Sequence, residues 1–272
     1  MPSHFSSIGF DLGTQEDFES LANQLAGEAK RILVKGGEYL RWTGGAGEEV
    51  WMQLQSAEEA LVGMNPHFAG SSTMRIMLER RVRRQDDSPL DGAFYAWAAP
   101  DDTDPADPGA PAGAYPFVFD SPDAHASREL ALPGPALAQI SAFAHEISCY
   151  DSEAAFESAQ ATQPLKYASH SFFPLGLLAA DGSQSDAPEA HAMITGEVLQ
   201  SKTRRNALTG VDFHWALVET HGGRFDVVID RTLLPRAPTV GGLISGTFWL
   251  SGRLLEYPRR GRGLLSQIVA SG

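Results

Sequence analysis

Short segments with strand character, separated by glycine pairs, recur along this chain and constrain its fold more than any other feature. Arg31–Lys35, Glu38–Trp42 and Glu49–Leu54 are three such segments, and Gly36-Gly37 and Gly44-Gly45 separate them. Strand-sized runs bounded by glycine are typical of antiparallel strands joined by tight turns. The sequence therefore predicts an α+β protein that is mostly antiparallel β.

One helix stands out near the start of the chain. Thr14 followed by Asp17 is a capping-box-like start, and an apolar stripe at helical spacing comes after it. Its members are Phe18, Leu21, Ala22, Leu25, Ala26 and Ala29. With a strand expected over residues 5–12, residues 4–55 are predicted to form a βαβββ module.

The second half of the chain changes in character. From residue 190 onward, alternating segments with interspersed glycines need no helix, which favours a small β-barrel. We predict an α+β domain over residues 1–185 and a small β-barrel domain over residues 186–272. Residues 99–114, rich in proline, aspartate and glycine, are expected to form an exposed acidic loop.

Charge limits the partners of this protein. The net charge is −13, but residues 1–200 carry −18 (11 Lys and Arg against 29 Asp and Glu) and residues 201–272 carry +5 (10 against 5). An acidic surface repels nucleic acid and anionic lipid, and it favours cationic or neutral partners. Exposed edge strands would allow a homodimer.

The expected location is the cytoplasm. Cys149 is the single cysteine, so no intramolecular disulfide can form. Its apolar surroundings predict a buried thiol. The chain shows no export signal and no long apolar run, so we expect a soluble protein outside the membrane.

Motifs for the common catalytic chemistries are absent from the sequence. There is no G-x-S-x-G elbow, no phosphate-binding glycine loop and no H-E-x-x-H pair. Aspartates at 86, 87 and 91 follow a run of arginines at 80, 81, 83 and 84, which predicts a salt-bridged strand end and turn. The leading prediction is a non-catalytic protein that binds a small molecule or a protein partner, with no cofactor expected; a divalent metal belongs to an alternative.

A resemblance gives an alternative. His4, Asp11 and Phe18 are spaced seven apart, and His145, Asp151 and Phe156 repeat the order. This resembles the half-modules of the vicinal oxygen chelate superfamily, which includes glyoxalases and extradiol dioxygenases. It implies a divalent metal held by His4 and His145, and a lyase, isomerase or dioxygenase activity. The glutamate ligand of that family would fall near Trp51 or Met52.

The C-terminal region resembles the oligonucleotide/oligosaccharide-binding fold. Basic residues in a predicted loop, together with aromatic residues, form a candidate binding surface. Its members are Lys202, Arg204, Arg205, Trp215 and Trp249. Single-stranded nucleic-acid binding is thus a further alternative, although the overall acidity opposes it, and core packing explains the aromatics equally well. As a whole, the chain resembles an uncharacterised bacterial-type family.

Overall fold

The computed structural model describes residues 3–56, 60–100, 112–127, 129–178 and 185–259. These residues form two α-helices, α1 Gln15–Ala26 and α2 Glu153–Ala159. The strands are β1 Lys30–Val34, β2 Gly37–Thr43, β3 Glu48–Gln55, β4 Ala60–Phe68, β5 Met74–Val82, β6 Ala93–Ala98, β7 Tyr115–Asp120, β8 Gly134–Tyr150, β9 Ser171–Leu175, β10 His191–Arg205, β11 Asp212–Thr220, β12 Gly223–Asp230 and β13 Leu243–Glu256. The predicted α+β class with mostly antiparallel β structure is confirmed.

The strands form two sheets. Sheet A is an antiparallel meander in the order β1-β2-β3-β4, and the turns at the predicted glycine pairs join its first three strands. Sheet B has nine strands in the order β11-β12-β8-β5-β6-β7-β13-β10-β9. Two further pairings, β10 with β11 and β8 with β13, connect strands that are not neighbours in this order. Each of two series of paired strands therefore begins and ends at β8: one runs through β5, β6, β7 and β13, and the other through β12, β11, β10 and β13.

Helix α1 begins where the sequence predicts. The Thr14 hydroxyl accepts a hydrogen bond from the backbone N–H of Asp17, and the Asp17 carboxylate accepts one from the backbone N–H of Thr14. These reciprocal bonds satisfy two of the free donors at the helix start. Leu21, Ala22 and Leu25 are buried, so the predicted apolar stripe is the packed face.

The strand expected over residues 5–12 does not form. Ser6–Ile8 make a 3₁₀ turn that ends at Gly9, which has a φ of +84°. Backbone oxygens here bond to a distant loop instead of a strand: the Asn206 amide donates to the Ile8 oxygen and the Thr209 hydroxyl to the Gly9 oxygen. The described N-terminal segment therefore reads as a turn, a helix and four strands.

Two other predictions need correction or fall outside the described residues. Lys202, Arg204 and Arg205 lie on β10, not in a loop, because β10 pairs with β11 through Arg205. Of the acidic loop expected over 99–114, residues 101–111 lie outside the described residues. Neither helix in the described part of the chain is long and apolar enough to cross a membrane.

The core has two main layers. One cluster lies within sheet B, with Phe94, Phe117 and Phe225 among its buried members. The second lies where α1 and sheet A meet sheet B, and it joins Phe68 of β4 to Trp215 and Trp249 of the opposite sheet. This second layer positions the candidate site.

Candidate functional site

A polar recess lies at the junction of the two sheets. Its volume is about 110 Å³. Sheet A contributes Asn65, and sheet B contributes the end of β7 and the middle of β13, while the connection from β5 to β6 closes one side. The lining consists of Asn65, Arg84, Asp87, Asp91, Gly92, Asp120, Ser121, Pro122, Trp249 and Ser251. Arg84, Asp87 and Asp91 belong to the charged segment that the sequence predicted as a salt-bridged turn.

Asp120 is the carboxylate that joins the walls of this recess. Its Oδ1 accepts from the Arg84 guanidinium at 2.7 Å, and its Oδ2 accepts from the Trp249 indole N–H at 2.6 Å. Burial raises the pKa of Asp120, and the Arg84 charge and both hydrogen bonds only partly offset that effect. A raised carboxyl pKa in a recess is typical of functional groups.

The other two carboxylates are held by hydrogen bonds from sheet A and from their own turn. Asp91 accepts from the side-chain amides of Gln53 at 2.6 Å and Asn65 at 2.8 Å, and from the backbone N–H of Ser88 at 2.9 Å. Asp87 accepts from the backbone N–H of Arg84 at 2.7 Å. These bonds fix the carboxylates as parts of a rigid wall.

A chain of buried hydrogen bonds starts at Ser251, on the floor of the recess. The Ser251 hydroxyl and His67 Nδ1 are 2.9 Å apart, and His67 Nε2 lies 3.0 Å from Gln139 Oε1. Gln139 Nε2 in turn donates to Asp226 Oδ2 at 3.0 Å. His67 and Asp226 are fully buried. We call this chain the Ser251 relay.

Burial dominates the electrostatics of the relay. It lowers the pKa of His67 to about 4, although the nearby Glu49 carboxylate acts in the opposite direction. His67 is therefore a neutral imidazole at pH 7, with one N–H donor and one acceptor.

Asp226 anchors the far end of the relay. Its carboxylate accepts from the backbone N–H groups of Ser71 and Ser72 and from the Trp215 indole, in addition to Gln139. A side chain at Gly70 would overlap this carboxylate. Four donors hold Asp226 in one orientation, which in turn fixes Gln139 and His67.

Three histidines meet on the other side of Trp249. His4 Nε2 and His145 Nε2 are 2.8 Å apart, and the His4 ring stacks on Trp249 with centroids 4.1 Å apart. The His191 ring lies 5.3 Å from His145 between centroids. We call this group the histidine cluster. It brings together His4 and His145, which the family resemblance implied as metal ligands 141 residues apart.

The backbone presents His145 through a bulge in β8. Glu146 pairs with Thr247 and Ala144 pairs with Phe248, so His145 is the extra residue between them. Bulges redirect side chains and are common beside functional sites.

The imidazoles of His4 and His145 are held neutral. Burial, followed by the charges of His145 and His191, lowers the pKa of His4 to about 3. Burial and then His191 lower the pKa of His145 as well. Two neutral rings supply the single N–H and the single lone pair that an Nε2–Nε2 hydrogen bond needs. Among the described residues, no three His, Cys, Asp or Glu side chains stand ready to hold one metal ion.

The basic and aromatic residues predicted as a binding surface do not form one exposed surface, because Trp215 and Trp249 are buried. Lys202 and Arg205 are exposed on β10. The Arg204 guanidinium packs 4.6 Å over the buried Trp215 ring and donates to the Ala46 oxygen. Trp249 is buried between the histidine cluster and the recess.

Cys149 differs from its prediction. The residue is exposed at the end of β8, where side chains alternate between core and solvent, rather than buried. Partial desolvation of the thiol and then the Asp151 charge raise the pKa of Cys149 to about 11. Little thiolate is present at pH 7, so this thiol is a poor nucleophile.

Sequence reasoning missed most of the recess and the relay. His67, Asp120, Gln139, Asp226 and Ser251 share no motif and come from five different strands. The one available signal is a polar residue within an otherwise apolar strand, as for Asp226 in RFDVVI and Gln139 in ALAQISA. Comparison of the chain with protein-family models, with curated proteins and with solved structures finds no match.

Proposed function

We propose that this protein binds a small, positively charged molecule of the ammonium type in the recess between its sheets. The main observation behind this proposal is that the lining of the recess has more free hydrogen-bond acceptors than free donors. Three carboxylates face one guanidinium there. The proposal specifies the ligand-binding role predicted from the sequence.

The acceptor surplus follows from the bonds in the recess. A carboxylate has about four lone-pair sites. Asp91 uses three of them, Asp120 two and Asp87 one in the hydrogen bonds described above. The Asn65 amide, the Arg84 guanidinium and the Trp249 indole already donate to acceptors. A ligand with N–H donors and a positive charge therefore matches the free groups, because an ammonium has three donors and no acceptor.

Methylammonium is a suitable probe because it is small and carries three N–H donors. We expect a saturable shift of the Trp249 indole N–H in ¹H–¹⁵N spectra, since this group bonds to Asp120 in the recess wall. The indole signal is assigned by its loss in Trp249→Phe. Asp91→Asn should weaken binding about tenfold or more, because a hydrogen bond to a charged group contributes about 1.5–3 kcal/mol.

Asp86→Asn is the matched control. Asp86 is exposed and is not part of the recess lining, yet its substitution changes the net charge equally. Equal weakening by the two variants, or tetramethylammonium binding as well as methylammonium, would contradict a donor-specific site. The absence of any saturable shift would exclude the proposal.

A second candidate function is transition-metal binding by the histidine cluster. The 2.8 Å approach of His4 and His145 supports it, and the bulge at His145 and the adjacent His191 add to that support. A set of imidazoles suits Zn²⁺, Ni²⁺ or Cu²⁺ better than Mg²⁺ or Ca²⁺. His4 and His145 would hold the ion, which supplies Lewis acidity when bound, and His191 would join them after a ring rotation.

Calorimetric titration with Ni²⁺ and Zn²⁺ tests the metal site. His4→Ala and His145→Ala should each raise the Kd at least about tenfold, the scale of losing one ligand interaction of about 1.4 kcal/mol or more. His170→Ala is the control because His170 is exposed and lies outside the cluster. Equal losses in all three variants would attribute the binding to surface histidines.

A third candidate function is the predicted binding of single-stranded nucleic acid through a C-terminal barrel over residues 186–272. It has less support than the other two. The exposed Lys202 and Arg205 support a contact with phosphate. A labelled oligonucleotide at ~50 mM salt tests it, because phosphate contacts are strongest at low salt.

A further inference from the structure

We propose that Ser251 is a nucleophile, activated by His67, that accepts a small acyl group from an ester entering the recess. This activity goes beyond ligand binding. It does not depend on the proposed cation site, because an uncharged ester can test it.

The orientation of Gln139 decides the proton positions along the Ser251 relay. Its Nε2 faces the Asp226 carboxylate at 3.0 Å and the Ser141 hydroxyl at 2.9 Å. The Ser141 hydroxyl gives its own hydrogen to the Phe68 oxygen at 2.6 Å, so it accepts from Gln139. Both neighbours of Nε2 are acceptors, and the amide nitrogen must be the group that faces them. The carbonyl Oε1 of Gln139 therefore faces His67.

The tautomer of His67 follows from this orientation. Gln139 Oε1 is an acceptor, so His67 Nε2 carries the hydrogen and donates it over 3.0 Å. His67 Nδ1 then has the free lone pair, and the hydroxyl of Ser251 donates to it over 2.9 Å. Each hydrogen bond points from Ser251 toward Asp226. This is the polarity that a serine nucleophile and its general base require.

Ser251 borders the recess and is only 1% exposed, so the reacting ester has to come from the recess. Trp249 and Ser251 are two residues apart on β13, so their side chains share one face, and both line the recess. The recess of about 110 Å³ limits the acyl group to roughly the size of acetyl. Arg84 in the same wall carries positive charge that would offset the negative charge developing on the acyl oxygen.

The reaction balances with groups that are present. The Ser251 oxygen bonds to the acyl carbon while its proton passes to His67 Nδ1. The bond from the acyl carbon to the ester oxygen then breaks, and the departing alkoxide takes the proton from His67. Water later attacks the acyl-serine with His67 accepting its proton, and the released Ser251 oxygen recovers that proton. No oxidant, metal or second substrate is needed.

Ser121 offers an internal comparison. It lines the same recess, but its hydroxyl lies 3.1 Å from the Asp123 carboxylate and donates to it. A hydroxyl bonded to a carboxylate outside any histidine relay gains little nucleophilicity. Both serines line the recess, but only Ser251 is bonded to His67. A difference in their acetylation therefore reports activation by His67.

Acetylation by p-nitrophenyl acetate provides the test. The full-length protein is mixed with the ester, quenched in acid and mapped by peptide mass spectrometry, while p-nitrophenolate release is followed by absorbance. We expect one acetyl group on Ser251, none on Ser121, and a burst of one p-nitrophenolate per chain. Ser251→Ala should lose the burst, whereas Ser121→Ala should keep it.

His67→Gln tests the activation itself, because glutamine can bond to Gln139 but is no base. Acetylation of Ser251 should slow at least tenfold in this variant, with near-ultraviolet circular dichroism checking that the fold is kept. If His67→Gln does not fold, the position of the acetyl group in the wild-type protein, mapped by mass spectrometry, tests the proposal by itself. Acetyl groups on surface lysines with none on Ser251, or unchanged acetylation of Ser251 in His67→Gln, would overturn the proposal. Methylammonium binding is measured separately from acetylation, so a failed cation site and a failed nucleophile give different results.

Discussion

At the scale of single residues, burial sets the chemistry of this protein more than sequence neighbours do. His67 is fully enclosed between the sheets, and both of its ring nitrogens have partners. His4 and His145 are kept neutral in the same way. The residues next to these histidines in the sequence give no warning of it, because the enclosing groups come from distant strands.

His67 should make the protein sensitive to mild acid. Its pKa in the folded state is about 4, below the ordinary value of 6.5, so the unfolded chain binds more protons between those two values. The stability from neutral His67 is complete above pH 6.5 and is lost as the pH falls towards 4. At 1.36 kcal/mol per pKa unit, the loss is up to about 3 kcal/mol.

Urea unfolding at pH 7 and pH 4.5 measures this effect. The wild-type protein should lose more free energy of unfolding between these pH values than His67→Gln does, whatever the stability of the variant at pH 7. His170→Gln, at an exposed position, should follow the wild type. Parallel pH dependence of the wild type and His67→Gln would show that His67 is not held neutral by burial.

At the scale of elements, the long pair β8–β13 holds most of the candidate residues in place. It runs from Leu243 opposite Tyr150 to Glu256 opposite Leu137, with bulges on the way. Gly246 pairs with Ile147, in the stretch of β8 that follows the bulge at His145. A Cβ there would meet the carbonyl oxygen of Glu146 inside contact distance. The sequence shows this residue only as one of the interspersed glycines, and the structure gives the reason for it, which is the close approach of two backbones.

Gly246→Ala should therefore destabilise the protein by about 2 kcal/mol, as overpacking against backbone typically does. Gly27→Ala is the control, because no heavy atom lies within 4 Å of its added Cβ and its φ of −69° suits alanine. The control should change stability by less than about 1 kcal/mol. Chemical denaturation measures both, and equal effects would contradict the close-approach argument.

At the scale of the whole molecule, the two sheets share one core layer. Phe68 of sheet A lies 6.1 Å from Phe213 and 6.4 Å from Trp215 of sheet B, between ring centroids. The Ser251 relay crosses the same junction through His67. Sheet A is thus packed too closely against sheet B to unfold at no cost to the rest of the core.

We expect a single unfolding transition for the whole chain. Phe68→Ala should lower its stability by about 3–4 kcal/mol, as for other large buried aromatics, and move the entire transition without splitting it. Leu33→Ala in the same sheet, at a side chain that is 78% exposed, should have little effect. Circular dichroism and calorimetry measure the transition, and a separate early transition in Phe68→Ala would show that sheet A unfolds independently.

The sequence by itself determined the helix start and the turns that depend on neighbouring residues. The capping box at Thr14 and the turns at glycine pairs depend on residues within a few positions of each other, so they could be predicted. The strand expected over residues 5–12 failed because a loop 200 residues later bonds to its backbone.

Only the tertiary structure decided which side chains meet. The family resemblance paired His4 with His145, but Trp249 beside them, the recess and the Ser251 relay depend on how β4, β7, β8, β12 and β13 cross. Those contacts join residues far apart in the chain, and no periodicity in the sequence encodes them. The sequence thus determined what each segment could become, while the packing of sheet A on sheet B determined where chemistry can take place.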